Sequence, residues 1–170
     1  MRKFSIFVSI FLLVGCTASY QQLDLAIPQQ RLEKSKSVLI ATPKNGFYGS
    51  TEYNFSGQMT AIAINAAFSK FSPNVRVDSR CSELSCLKKT SGDKFDYLVI
   101  PEILHWEERA TEWSGKPDRI EVKLTIYDSI TDAVLAATTI KGKSKWATFG
   151  GDHPQDLLPD PLNKYVSSLY

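Results

Sequence analysis

Hydrophobic residues are concentrated at the start of the chain in a pattern typical of a secretory signal. The basic residues Arg2 and Lys3 precede an apolar run at positions 4–14, and this order of charge and hydrophobicity is characteristic of such signals. The run is too short to cross a bilayer as a helix, which needs about 20 residues. We therefore interpret residues 1–15 as a signal peptide.

The pattern downstream predicts a strand, a helix and a second strand. Residues 37–43 form a short apolar run that ends in a proline, which is typical of a buried strand. Residues 58–71 carry apolar side chains at helical spacing, and residues 74–78 alternate between apolar and polar as a strand does. A crossover of this length favours a right-handed parallel βαβ unit.

The second half of the chain predicts an antiparallel meander between two helices. Residues 84–90 suggest a short helix, and residues 162–170 suggest a terminal helix. Between them, Pro101 should end a densely apolar strand or mark a bulge. Three extended segments make up the meander: residues 95–110, 120–127 and 134–149.

These elements predict one α+β domain over residues 37–170. Its βαβ unit is followed by the antiparallel meander, giving a mixed sheet of about five strands with helices on one face. Residues 17–36 are instead polar and rich in Gln. We expect them to form a flexible tether that reaches roughly 25 Å.

The motif Leu13-Val14-Gly15-Cys16 resembles the lipobox of bacterial lipoproteins. The resemblance implies that Cys16 is diacylated on sulfur and becomes the acylated N-terminus, whereas an ordinary signal peptide would leave it as a thiol. Acyl chains anchor a protein firmly, because each buried CH₂ group contributes about 0.8 kcal/mol. Thr17 stands where an Asp would resemble an inner-membrane retention signal. We therefore expect anchoring in the outer membrane, facing the periplasm.

Removal of the signal changes the charge of the chain. The sequence has 20 Lys and Arg against 18 Asp and Glu, a formal net charge of +2. The signal holds two of the basic residues and none of the acidic ones, so the mature chain has no formal net charge. Nucleic-acid binding depends on a basic surplus that neutralises phosphates. The mature chain has no such surplus, and we expect no nucleic-acid partner.

Two of the three cysteines remain once Cys16 is assigned to the anchor. Cys81 and Cys86 form an even pair, and an oxidising compartment favours a structural disulfide between them. Two free thiols are the alternative. No second Cys or His pair supplies the further ligands that a metal site needs, so we predict neither a metal nor a cofactor.

Three segments of the second half of the chain are distinctive: 102–109 (Glu-Ile-Leu-His-Trp-Glu-Glu-Arg), 111–115 (Thr-Glu-Trp-Ser-Gly) and 146–152 (Trp-Ala-Thr-Phe-Gly-Gly-Asp). They resemble an uncharacterised proteobacterial lipoprotein family, and the similarity covers roughly residues 37–170. The family has no assigned activity, so the resemblance implies only the cellular location and the fold. The order of elements is also similar to the N-terminal domain of TolB and to LpoB-type lipoproteins, which implies contacts with envelope proteins.

Aromatic residues on loops are the candidates for partner binding. Residues 44–57 contain several of them in a segment that cannot readily bury its backbone, and exposed aromatics often anchor a partner. The alternative is that these rings fold back over the core. We name as aromatic candidates Phe47, Tyr48, Tyr53 and Trp113. Asp152 is a further candidate, because its segment follows the last predicted strand and precedes a Pro-rich break. Trp113 lies beside a turn that we assign to Gly115, Pro117 and Asp118.

Catalytic residues are not predicted. A strand would place His105 and Glu107 on one face, where they could form a general acid/base pair. A solvated strand face that also includes Glu102 and Arg109 is the favoured interpretation. A row of Lys141, Lys143 and Lys145 on the last strand is also typical of a solvated face, with acidic sugars or lipid headgroups as alternative contacts.

The sequence therefore predicts a lipid-anchored envelope lipoprotein that acts as a non-enzymatic binding or assembly module. Its expected partners are the membrane, through acylated Cys16, and an envelope protein. A glycan- or peptidoglycan-binding module is the first alternative, and a hydrolase that uses His105 and Glu107 is the second.

Overall fold

A computed structural model describes residues 17–109, 115–145 and 153–170. The predicted signal peptide and three predicted site residues lie outside these ranges, namely Cys16, Trp113 and Asp152.

A six-stranded mixed sheet forms the centre of the fold. Its strands are β1 (Ser19–Ala26), β2 (Val38–Ala41), β5 (Val75–Asp78), β6 (Tyr97–Glu107), β7 (Arg119–Asp128) and β8 (Val134–Lys143). They lie in the order β1-β8-β7-β6-β2-β5. Two further strands, β3 (Gly46–Tyr48) and β4 (Thr51–Tyr53), form a separate antiparallel hairpin.

Three α-helices within the described ranges accompany the sheet. They are α1 (Ser56–Phe68), α2 (Leu84–Ser91) and α3 (Pro159–Leu169), and short 3₁₀ turns cover Gly92–Lys94 and Pro154–Leu157. The strand β2 pairs in parallel with β5 and β6, and β6, β7 and β8 pair antiparallel in succession. The predicted α+β class, βαβ unit and meander are therefore confirmed, and β1 adds a strand that the sequence analysis did not include.

The core follows from the period-2 pattern of the strands. Val38 and Ile40 of β2 join the main hydrophobic cluster, which includes residues of α1 and α3 such as Phe68 and Val166. The alternate residue Leu39 belongs to a second cluster with Leu87 of α2. Burying each such side chain contributes about 1.5–3 kcal/mol. The two clusters fix the central strands of the sheet.

The predicted tether is wrong, because the chain is bound to the domain from Ser19 onward. The strand β1 runs antiparallel to β8, with Ser19 opposite Lys143. Farther on, Leu32 is buried in the main cluster, and its N–H donates to the carbonyl of Leu169 over 2.8 Å. Backbone pairing with β8 and the burial of Leu32 thus hold this segment against the domain, although its composition predicted a flexible coil. The domain begins before residue 37.

Pro101 neither ends its strand nor marks a bulge. The strand β6 passes through it, with Pro101 opposite Leu124 of β7. The pairing of β6 with β2 stops at Val99, so the missing N–H of the proline falls beyond that ladder. The bulge lies instead at Leu104, where the register with β7 shifts between Ile103 and His105.

Cys81 and Cys86 form a disulfide, with their Cα atoms 5.3 Å apart, as the sequence analysis predicted. Cys81 is buried in the second cluster beside Leu87. The bond therefore closes a short loop between β5 and α2.

Removal of this bond by replacing Cys81 and Cys86 with Ser should lower the free energy of unfolding by about 2 kcal/mol, the chain-entropy value for so short a loop. Equilibrium urea unfolding of the wild-type and double variant measures the loss. As a control, a reducing agent should shift the wild-type midpoint and leave that of the variant unchanged. Equal midpoints for the oxidised wild type and the variant would contradict the prediction.

Candidate binding surface

Two glycines seat the β3–β4 hairpin directly on β6 and on the start of α1. A Cβ at Gly46 would lie 2.4 Å from the Cβ of Trp106, and a Cβ at Gly57 would lie 2.2 Å from the carbonyl oxygen of Pro43. Any side chain at either position would force the backbone apart, which explains the use of glycine. The hairpin is therefore packed closely on the sheet.

Short hydrogen bonds hold the ends of the hairpin together. The N–H of Gly46 donates to the hydroxyl of Ser56 over 2.8 Å, and this hydroxyl donates to the carbonyl of Tyr53 over 2.7 Å. The side-chain oxygen of Asn45 accepts from the N–H of Gly57 over 3.2 Å. Residues predicted only as a loop thus form a defined two-stranded platform.

The aromatic residues of this platform divide between solvent and core. Phe47 is 53% exposed and Phe55 is 66% exposed, and Tyr48 is also exposed. Tyr53 instead packs against the main cluster, and its hydroxyl donates to the carbonyl of Glu108 over 3.4 Å. The alternative of a ring folded onto the core therefore applies to Tyr53, whereas Phe47 and Tyr48 reach solvent.

Phe55 combines exposure with an unfavourable backbone conformation. It is the residue before α1 and has a φ of 67°, in the left-handed region. This region costs a residue with a Cβ about 1–2 kcal/mol. Because the ring is exposed, its burial offsets little of this conformational free energy. Packing in the core therefore does not explain why a phenylalanine stands at this position.

Tyr48 connects the hairpin to a polar group at the end of β6. The guanidinium of Arg109 donates to its hydroxyl over 2.7 Å and lies 4.8 Å from its ring centroid. The Tyr48 ring also meets the His105 ring edge-on, with 5.5 Å between centroids. His105 and Arg109 both contact Glu107. We call Tyr48, His105, Glu107 and Arg109 the Tyr48 cluster.

Glu107 is the buried centre of the Tyr48 cluster. It is 6% exposed, which corrects its predicted place on a solvated strand face. His105 Nε2 lies 3.0 Å from Oε2, and Arg109 donates to Oε1. Desolvation raises the pKa of the Glu107 carboxyl, but the hydrogen bonds from His105 and Arg109 and the charge of Arg109 together lower it below the usual value.

Further polar contacts join the strand ends beside this cluster. Asp118 is buried, its carboxylate accepts from the N–H of Arg109, and its own N–H donates to the hydroxyl of Ser144 over 2.9 Å. Asp118 thus lies in the predicted connection between β6 and β7, but its side chain is buried. Glu108 meets His153 Nδ1 at 2.8 Å, and this hydrogen bond raises the pKa of His153. These contacts join segments that are far apart in the chain, so local sequence patterns could not predict them.

The sheet face opposite α1 and α3 is polar beside the Tyr48 cluster. Glu102 pairs with Lys123 at 2.8 Å, and Glu121 pairs with Lys141 at 3.1 Å. At the end of the sheet, Arg119 of β7 lies opposite Lys143 of β8. A shallow groove of about 350 Å³ runs over this face.

Residues 17–109, 115–145 and 153–170 contain no set of three or more His, Cys, Asp or Glu side chains arranged to hold a metal ion. The helices in these same ranges are all too short or too polar to cross a membrane.

The fold is similar to that of PelC from Paraburkholderia phytofirmans. A dodecamer of a PelC point variant matches with 13% identity and a TM-score of 0.63, over 89% of this chain and 96% of that one. A second PelC dodecamer matches with 14% identity and a TM-score of 0.59, over 89% and 91%. The lipoprotein GNA1162 from Neisseria meningitidis is 13% identical, over 78% and 94%, with a TM-score of 0.47.

The sequence places the chain in a particular family. Residues 30–169 match the domain of unknown function DUF4823, and the chain belongs to that family. This confirms the predicted membership of an uncharacterised family. A search of curated proteins finds no match. The similarity to TolB and LpoB-type lipoproteins stays a prediction.

Proposed function

We propose that this protein is a lipid-anchored, non-enzymatic module of the cell envelope that binds an envelope protein through the β3–β4 hairpin. The anchor is acylated Cys16, in the outer membrane and facing the periplasm. The observation that carries the binding role is the combination of a closely packed hairpin with the exposed rings of Phe47 and Phe55. Aromatic anchors on a preorganised support give affinity at low entropic cost.

The Tyr48 cluster supports a structural rather than a catalytic role for its acidic group. Both oxygens of Glu107 already accept from His105 and Arg109. A general base needs a lone pair directed at the proton that it removes. The hydrolase alternative predicts that His105→Ala abolishes a measurable activity, so an activity that survives this change excludes the alternative.

The anchor is tested by changing Cys16 to Ser. Wild-type protein should fractionate with membranes and carry the mass of its acyl chains, whereas Cys16→Ser should lose both properties. Membrane association of the variant equal to that of the wild type would contradict the proposal.

The binding surface is tested by capture from envelope extracts with the anchored protein as bait. Phe47→Ser and Phe55→Ser should each lower capture of a specific partner by about tenfold, because each removes an exposed anchor. Ile130→Ser is the matched control, since Ile130 is 89% exposed in the β7–β8 turn, far from the hairpin. Equal capture by all variants would refute the hairpin as the interface. Cosedimentation with purified sacculi would instead favour the peptidoglycan alternative.

Self-assembly is a second candidate function, and two observations favour it. Both PelC structures with a similar fold are dodecamers. The strand β1 lies at the edge of the sheet that the described residues form, with Leu23 and Leu25 more than half exposed. An apolar edge strand is suited to pairing with another chain. Native mass spectrometry should detect oligomers of the wild type and monomers after Leu23→Lys and Leu25→Lys. A monomeric wild type would exclude this function.

A further inference from the structure

The start of β1 determines how far the domain can lie from its anchor. Only Thr17 and Ala18 separate Cys16 from Ser19, the first residue of β1. Ala18 itself packs against the main hydrophobic cluster. Even a fully extended chain spans at most about 3.6 Å per residue, so the backbone of Cys16 lies within roughly 11 Å of Ser19. An acylated Cys16 would therefore hold this end of the sheet at the membrane.

Basic residues lie at the same end of the sheet. Ser19 is opposite Lys143 of β8, and Lys143 is opposite Arg119 of β7. Neighbouring strands are about 4.8 Å apart, so these three residues form a short row across the sheet. Lys145 follows two residues after Lys143, and all three basic side chains are exposed. We call Arg119, Lys143 and Lys145 the basic end.

The basic end differs from the rest of its sheet face in its charge pairing. Lys123 and Lys141 each have an acidic partner on a neighbouring strand. Arg119 lies between Lys143 of β8 and Glu107 of β6. The Glu107 carboxylate is already bonded to His105 and Arg109, and within the described ranges neither Arg119 nor Lys143 forms an ion pair. Like charges directly opposite each other destabilise a sheet. A negatively charged surface held against this end would remove that cost.

We propose that the basic end binds the phosphate groups of anionic phospholipids and thereby fixes the orientation of the domain on the membrane. The proposal rests on the acylation of Cys16 put forward above. The reach from Cys16 keeps the basic end within about one to two Debye lengths of the headgroups, where their attraction for Lys and Arg is appreciable. The sheet then stands on the membrane by the end that carries Ser19.

This orientation points the other end of the sheet away from the membrane. The strand β8 has 10 residues, and at about 3.4 Å per residue it carries the chain roughly 34 Å. Exposed Lys94 precedes β6 at that far end. It therefore serves as a reference amine that headgroups do not reach.

Amine footprinting of the full acylated protein tests the proposal. The protein is reconstituted in phosphatidylcholine vesicles with or without phosphatidylglycerol, treated with an amine-reactive reagent and analysed by peptide mass spectrometry. Phosphatidylglycerol should slow the labelling of Lys143 and Lys145 by about fivefold, and high salt should reverse the protection. The labelling of Lys94 should not change. If phosphatidylglycerol changes the labelling rate of Lys145 no more than that of Lys94, the proposal is overturned.

Two variants identify the residues responsible. In the double variant Arg119→Gln and Lys143→Gln, Lys145 should be labelled as fast with phosphatidylglycerol as without it. The matched variant Lys89→Gln, which changes an exposed lysine on α2, should retain the protection. Persistent protection in the double variant would refute the basic end.

Intact mass separates this proposal from the proposed anchor. A protein without acyl chains at Cys16 would overturn both. An acylated, vesicle-bound protein whose Lys145 is unprotected would overturn only the headgroup contact.

Discussion

Replacement of Trp106 by Ala should lower the free energy of unfolding by about 3–5 kcal/mol, the usual cost of removing a large aromatic side chain from a core. Trp106 is 2% exposed and belongs to the main hydrophobic cluster. It also supports the hairpin, because Gly46 approaches it closely. Since whole domains are stable by only about 5–15 kcal/mol, the variant should be close to unfolding. Equilibrium urea denaturation measures the change.

Leu104→Ala provides the matched control for this experiment. Leu104 lies two residues away on the same strand, at the bulge, and is 51% exposed. Its replacement should change the free energy of unfolding by no more than about 0.5 kcal/mol. A loss from Trp106→Ala as small as that from Leu104→Ala would show that Trp106 is not part of the packed core.

Glu107→Gln should lower the free energy of unfolding at neutral pH by about 2 kcal/mol. The change keeps the shape of the side chain but weakens its hydrogen bonds with His105 and Arg109, and bonds to charged groups contribute about 1.5–3 kcal/mol each. Partial exposure of these two partners reduces the loss that a fully buried ion pair would show. Glu102→Gln is the control, because its surface pair with Lys123 contributes little.

The effect of Glu107→Gln should depend on pH in one direction. The pKa of Glu107 is lowered in the folded protein relative to the ordinary value of 4.5. Its contribution is therefore complete above the unfolded-state pKa and is lost as the pH falls through the folded-state pKa. The difference between wild type and Glu107→Gln should be constant near neutral pH and shrink below about pH 4.5. A difference that grows on acidification would contradict the assignment.

The main features of the fold were predictable because they depend on local periodicity. Apolar spacing identified α1, and alternation identified β5 and β7. The strand β1 was missed although Leu23, Leu25 and Ile27 alternate with more polar residues. These apolar side chains lie in solvent, and the segment is held by backbone pairing with β8. The polar composition of this segment suggests a coil, but backbone pairing with β8, which is distant in sequence, makes it a strand.

The candidate site was only partly predictable for a related reason. The alternation of a strand correctly placed His105 and Glu107 on one face. In the structure, His105 Nε2 lies 3.0 Å from Glu107 Oε2. It did not show that Glu107 is buried, because the Tyr48 ring comes from the hairpin and the guanidinium of Arg109 completes the cluster. Contacts between segments far apart in sequence leave no local periodic signal.

The pairing of β1 with β8 also sets the order in which the sheet can close. A chain that emerges from its N-terminus presents Ser19 long before Lys143, its partner in the sheet. The strand β1 must therefore wait until most of the domain has emerged, and such non-local pairing is slow to form. The acylation proposed for Cys16 would then take place on an unfolded segment. A chain truncated before β8 would leave β1 without its partner strand.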